Sequence, residues 1–155
     1  TANWLLQAGY GYLDAEYTKL DTQVVGSFGT PVTNPLSLDA AFVNTPEHSL
    51  SLGIEYYQTL REFGALTWRV DVSYKSEWAN DAVNTQELIQ DGIFLLNPRI
   101  TFTPANSSWE VIAFASNLTD EEYIFSGAAD KQNFGTAVAN VAAPREAGLS
   151  IRYKF

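Results

Sequence analysis

The sequence predicts an all-β chain of six antiparallel strands, connected up and down and forming part of a larger barrel. Three observations carry that expectation. Segments long enough to cross a bilayer as tilted strands, about 9 to 11 residues, alternate apolar and polar side chains, the period-two pattern of a strand with two unlike faces. The connections between them alternate too, in the order long, short, long, short, long. Aromatic residues, 14% of the chain, gather at the strand ends.

The first strand is expected over Trp4–Tyr17, with Leu6, Ala8, Tyr10 and Tyr12 on one face and Gln7, Gly9 and Gly11 on the other. Residues 18–47 scatter Gly26, Gly29, Pro31, Pro35 and Pro46 among Thr, Asn and Ser, and read as a long loop. The second strand, Ser49–Leu60, sets Leu50, Leu52, Ile54 and Tyr56 against Ser49, Ser51, Gly53 and Glu55. A short turn follows, with Gly64 available for a positive φ. The third strand, Leu66–Trp78, is the plainest: Leu66, Trp68, Val70, Val72 and Tyr74 against Thr67, Arg69, Asp71, Ser73, Lys75 and Glu77. A polar loop spans 79–91.

The fourth strand is expected over Ile93–Thr103, with Phe94, Leu96, Ile100 and Phe102 alternating with Asn97, Arg99, Thr101 and Thr103. Pro98 has no N–H to give a ladder and predicts a bulge or a missing bond. A short turn, residues 104–108, leads to a fifth strand from Trp109. Its run through Ala115 is apolar on both sides, which leaves its faces unassigned. A third long loop extends from Asn117 to about residue 142. In the last strand Leu149, Ile151, Tyr153 and Phe155 form one stripe against Ser150, Arg152 and Lys154, so pairing is expected to run to Phe155.

Short turns at one end and long loops at the other describe a transmembrane barrel with short periplasmic turns and long extracellular loops. Trp4, Trp68, Phe102, Trp109 and Phe155 fall at the short-turn end, and Tyr12, Tyr17, Tyr74 and Trp78 at the other, as two interfacial girdles would. The alternative is a secreted soluble β-sandwich that binds glycans through loop aromatics, because sandwich faces alternate as well. The charge along the polar face of the third strand weighs against it.

At 155 residues the chain is expected to be one unit. Charged residues are 17%, below the usual level of about 25%. No run approaches the ~18 apolar residues of a membrane helix, so any crossing is by strands. No signal peptide is apparent. The absence of Cys excludes a disulfide framework and a thiolate metal site. The absence of Met suggests that Thr1 is not a natural start, so a processed or truncated piece is expected. A net charge of −9 repels phosphate and argues against nucleic acid as a partner.

Three stretches resemble the C-terminal part of TonB-dependent outer-membrane receptors. Asn117-Leu-Thr-Asp-Glu-Glu-Tyr123 is similar to the NLTD-x-x-Y segment of the penultimate strand, carried by Asn117, Leu118, Thr119, Asp120 and Tyr123. Pro144-Arg145 with Gly148–Phe155 is similar to the closing strand and its terminal Phe. Residues 9–17 are like an ascending strand opening into an outside loop. The resemblance implies that residues 1–155 are the last six strands of a barrel of about 22 with a plugged lumen, the plug and N-terminal strands being absent. It implies a receptor in the Gram-negative outer membrane, among lipid and lipopolysaccharide. Such a receptor takes up a scarce large solute, a ferric siderophore, cobalamin or a glycan, with energy from the TonB complex through the missing N-terminal part. It also implies that the barrel-assembly machinery reads Phe155, Tyr153 and Ile151 as its signal.

No enzyme is expected, and no cofactor or metal. His48, the only histidine, sits beside Glu47 at a loop–strand junction and reads as a solvated loop residue, the alternative being a poised base or a metal ligand. Glu121 and Glu122 are adjacent, so they diverge on a strand and make a poor carboxylate pair. Arg69, Asp71, Lys75, Glu77, Arg99, Arg152 and Lys154 are expected to line the lumen as a charge ladder, either self-paired or touching ligand. Phe28, Phe42, Tyr123, Phe125 and Phe134 in the long loops either grip a solute or pack the loops shut.

Overall fold

The computed structural model describes residues 3–26, 29–131 and 133–155. In chain order the strands are β1 (Trp4–Tyr12), β2 (Gln23–Val25), β3 (Pro31–Thr33), β4 (His48–Thr59), β5 (Gly64–Lys75), β6 (Trp78–Ala79), β7 (Ile89–Gln90), β8 (Ile93–Pro104), β9 (Trp109–Ser116), β10 (Ile124–Asp130), β11 (Thr136–Val141) and β12 (Glu146–Tyr153). Six of them form one antiparallel sheet in the order β1-β4-β5-β8-β9-β12, a meander in which every pair is a chain neighbour among the long strands. The pairs β2/β3, β6/β7 and β10/β11 are separate two-stranded sheets inside the three long connections.

The register sorts side chains as the alternation predicts. Trp4, Tyr56, Trp68, Ile100, Ala113 and Leu149 stand in one row across all six strands. Tyr10, Leu50, Tyr74 and Phe94 form a row nearer the loops. The opposite face carries the rows Gln7-Gly53-Asp71-Asn97 and Leu5-Glu55-Arg69-Arg99-Phe114-Gly148. The register also assigns the fifth strand: Val111 and Ala113 lie on the apolar face, Glu110, Ile112 and Phe114 on the polar one. Phe114 lies across Gly148, whose absent side chain makes room for the ring: a Cβ there would stand 2.7 Å from it.

Several boundaries differ from expectation. β1 ends at Tyr12, opposite the first residue of β4, after which Tyr17 leaves the sheet and stacks on Phe42 at 4.2 Å. β5 stops at Lys75: the Ser76 N–H still bonds the His48 carbonyl (2.9 Å), but the Ser76 Oγ accepts the His48 N–H (3.0 Å), where the ladder would use the backbone carbonyl. Trp78 is therefore no girdle residue; it is buried among the loops. Pro98 makes no bulge against β5, where Val70 faces it in an unbroken register. The missing bond shows on the other edge. Pairing with β9 runs only from Phe102 back to Arg99, and beyond Pro98 the Leu118 N–H reaches the Leu96 carbonyl instead (2.9 Å). β12 begins at Glu146, ahead of the stripe that starts at Leu149, and its ladder closes at Tyr153. Lys154 N–H still bonds the Ser108 carbonyl (2.9 Å), but Phe155 lies outside the ladder, with its ring edge-on to Tyr153 at 4.9 Å.

The turn after β4 requires its glycine. Gly64 has φ 123°, and a Cβ would stand 2.7 Å from the Ala105 amide nitrogen and strike the Thr103 carbonyl.

Among the described residues no second sheet covers the apolar face; Leu149 remains 79% exposed and Ile151 66%. A sandwich needs such a cover, so that alternative fails. Among the described residues no helix is long and apolar enough to cross a membrane, and the remaining way for a backbone to cross is a closed ring of strands.

Among the described residues the buried apolar side chains are Ala40, Trp78, Ala79, Leu88 and Ile93, all in the long loops or where β8 leaves them. Residues 76–92 form the middle of this layer. Asn84 Oδ1 accepts the Ala41 N–H (2.6 Å) and its Nδ2 donates back to the Ala41 carbonyl (2.9 Å). On the other side Gln90 Oε1 accepts the Ile124 N–H (2.7 Å), and Leu88 packs where a Cβ on Gly127 would be.

Candidate functional site

Arg69, Asp71, Lys75, Arg99 and Arg152 share one face of the sheet. The middle of that face is a cluster around Arg69. Its Nε and Nη2 grip Asp71 at 2.8 and 2.7 Å, Nη1 reaches Glu55 Oε2 at 3.4 Å, and Nη2 also reaches Gln7 Oε1 at 3.3 Å. A two-pronged guanidinium–carboxylate pair is the strongest and most directional of such contacts. Gly53 lies beneath it; a Cβ there would stand 3.2 Å from Arg69 Nη2. Gln7 and Glu55 were not singled out as site residues, although their strand parity already put them on this face.

Arg99 stands directly opposite Arg69 and, among the described residues, has no carboxylate within ion-pair distance. Arg152 pairs with Glu110 at 2.8 Å toward the short-turn end. Glu77 and Lys154 fall outside the strands and do not join the ladder.

Toward the loops the polar face runs under the buried layer. Ser73 and Lys75 of β5 and Ile93 and Leu95 of β8 form the wall of a recess of about 290 Å³, and Asn44, Trp78, Tyr123 and Phe125 come from all three loops to meet it. Of the loop aromatics, Tyr123 and Phe125 thus face this recess, Phe42 packs against Tyr17, and Phe134 is exposed at a hairpin tip. Phe28 lies outside the described residues. His48 is half-exposed on the apolar face, opposite Tyr12, its Nδ1 2.9 Å from Tyr10 Oη and its Nε2 3.7 Å from Glu47.

The segment Asn117–Tyr123 follows β9 and does not lie on it. Asn117 (φ 49°) and Asp120 (φ 61°) adopt the left-handed conformation that Asn and Asp tolerate best. The Asn117 N–H donates to Asn97 Oδ1 (2.8 Å), its Oδ1 accepts the Glu121 N–H (2.9 Å), and its Nδ2 donates to the Glu121 carbonyl (2.9 Å) and the Ala143 carbonyl (3.4 Å). Asp120 takes the Arg145 N–H on Oδ1 (2.9 Å) and pairs with the Arg145 guanidinium through Oδ2 (3.3 Å). Leu118 offers its carbonyl to Arg145, and Thr119 Oγ1 donates to the Phe94 carbonyl at 3.4 Å. Two of the three stretches that resemble the receptor family are thus bonded to each other, at the foot of the loop.

The chain has the fold of a segment of a β-barrel, of the kind that TonB-dependent outer-membrane receptors build. Among solved structures it is similar to the ferric yersiniabactin uptake receptor FyuA from Yersinia pestis, with a TM-score of 0.79 and 19% identity over 100% of this chain and 21% of that one. It is similar to the siderophore receptor PiuA from Acinetobacter baumannii, with a TM-score of 0.74 and 23% identity over 100% of this chain and 20% of that one. It is also similar to BauA, the ferric preacinetobactin receptor of Acinetobacter baumannii, with a TM-score of 0.65 and 26% identity over 100% and 20%. The chain spans about a fifth of the length of these receptors. No protein-family model matches the sequence, and no curated protein does.

Proposed function

We propose that residues 1–155 form the closing six strands of a TonB-dependent receptor in the outer membrane of a Gram-negative cell, and that the intact receptor takes up ferric siderophores. The observation that carries this reading is the likeness of the whole chain to receptors named for ferric siderophores. It favours that solute class over cobalamin or a glycan. In this reading the apolar rows meet lipid and lipopolysaccharide, and the Arg69 cluster and the recess above it line the lumen. TonB engages a part of the receptor beyond this chain, and the assembly machinery reads the stripe Ile151, Tyr153, Phe155.

The test is to express the full-length receptor in a host that lacks its own siderophore receptors. Uptake of radioactive iron from a panel of ferric siderophores is measured with and without a working TonB. TonB-dependent uptake of at least one ferric complex is expected. Uptake of cobalamin or a glycan with no ferric complex accepted overturns the substrate class.

A further inference from the structure

We infer that the recess beneath the loop layer is a subsite for one anionic aromatic group of the transported solute, held by Lys75 against Trp78, Tyr123 and Phe125. The inference rests on the receptor reading above and adds to it the chemistry of one part of the substrate.

Size comes first. At about 290 Å³ the recess is at or below the lower limit for pockets that enclose a whole drug-sized ligand, roughly 300–1,000 Å³. It fits one ring with its charged substituent, so a bulky chelate must leave its metal centre outside and insert an arm.

Charge comes second. Among the described residues Lys75 is the only ionisable side chain with a full charge at the recess, and no carboxylate lines it. Among the described residues no carboxylate lies within ion-pair distance of Lys75. Its ammonium stands 5.7 Å from the centroid of the Trp78 ring, a cation–π contact that leaves its hydrogen-bond donors free for an anion. In a chain of net charge −9, an unpaired cation in an acid-free recess is a selective feature.

Preorganisation comes third. Trp78 Nε1 donates to Asn80 Oδ1 (3.2 Å), and both residues are buried, which fixes the ring. The Tyr123 carbonyl accepts the Ala142 N–H (2.9 Å), and the next residue, Ile124, is held by Gln90, so the segment bearing Tyr123 and Phe125 is tied down on both sides. A ligand entering such a site spends little on ordering side chains. The aromatic faces accept a ring edge-on or offset, and Ser73 adds a hydroxyl on the wall.

The probe is benzoate, with benzamide as its neutral counterpart and cyclohexanecarboxylate as its non-aromatic one. Binding to the full-length receptor in detergent is followed by calorimetry and ligand-observed NMR. Benzoate is expected to bind the parent protein and Lys75→Arg, and to bind Lys75→Gln about tenfold more weakly, the scale of one lost charged hydrogen bond. Phe125→Ala, at a position that is 54% exposed, is expected to weaken it as well. Both counterparts are expected to bind more weakly than benzoate. Equal benzoate affinity in the parent and Lys75→Gln, no benzoate binding to the parent, or equal binding of all three probes overturns the inference. An uptake arm separates this failure from failure of the receptor reading. Lys75→Gln is expected to slow import of a ferric siderophore with aryl carboxylate or catecholate arms and to spare one with hydroxamates alone. A parent receptor that imports no ferric complex defeats the receptor reading, whereas import of both kinds unchanged in Lys75→Gln defeats only the subsite.

Discussion

Strand β5 presents Val70 and Val72 on a face that no other described part of the chain covers, while residues 78–90, just beyond it, bury Leu88 to 1% exposure. One polypeptide thus meets two solvents. The sheet satisfies its backbone through ladders and leaves its apolar side chains outward, as lipid allows and water does not. The loop layer is a small water-facing domain with a core of Trp78, Ala79 and Leu88, and it buries polar groups only where they are bonded, as with Asn80, Gln90 and Asn117. The lesson is that exposure of a large apolar residue means opposite things a few residues apart.

Substitutions chosen from each region test that division. Leu88→Ala has the largest expected effect, about 2–5 kcal/mol off the local stability of the loop layer. Protease should nick loops 76–92 and 117–145 faster on whole cells, while the barrel keeps its heat-resistant gel mobility; loss of that mobility would show that the two regions fold as one. Val70→Arg should do the reverse. An arginine on the lipid face near mid-membrane costs about 2–4 kcal/mol, so the folded fraction should fall, with less effect from Thr67→Arg on the other face. Equal losses from both would remove the assignment of faces. Asn117→Ala is expected to cost about 1–3 kcal/mol, because the Glu121 amide and the Ala143 carbonyl lose their partner. Hydrogen exchange near residues 117–123 and 142–145 should rise while β4 and β5 stay protected.

The smallest effect concerns the Lys131–Glu87 pair, 2.6 Å long at the surface of the loop layer. The hydrogen bond from Lys131 holds the Glu87 carboxyl below its ordinary value of 4.5. A carboxyl depressed in the folded state adds stability above that ordinary value and loses it as the pH falls through the lower, folded one. Protection of the β10/β11 amides, measured against the intrinsic exchange rate at each pH, should therefore fall on acidification through that window and not between pH 6 and 8, and Glu87→Gln should abolish the response. As an exposed pair it should also weaken with salt.

The six long strands and their faces were legible because period-two alternation is a local property, visible wherever one side is apolar. β9 was the exception: Ile112 and Phe114 are apolar on the polar face, and only the register against Arg99 and Gly148 reveals that Phe114 covers a glycine. The loop layer was not legible as a layer. Its hairpin β10/β11 did carry signals, Val138 and Val141 after Gly135, which takes a positive φ (63°) in the turn, but they sat inside what read as one long loop. The fixing contacts of Leu88, Asn84 and Gln90 join residues far apart in sequence, which no local pattern encodes. Of the site, the charged face was readable from parity, whereas the recess needed Lys75 and Phe125 brought together from separate segments.

The bonds from Asn117 to Ala143 and from Asp120 to Arg145 close residues 117–145 at their base. Because the ends are clamped there, strands β9 and β12 are joined as if by a short turn, and closure entropy grows only slowly with what lies beyond the clamp. The excursion above it is then an interchangeable cassette. A change in the length or sequence of that excursion should leave the register of the wall undisturbed, because the clamp and not the excursion holds the two strands together.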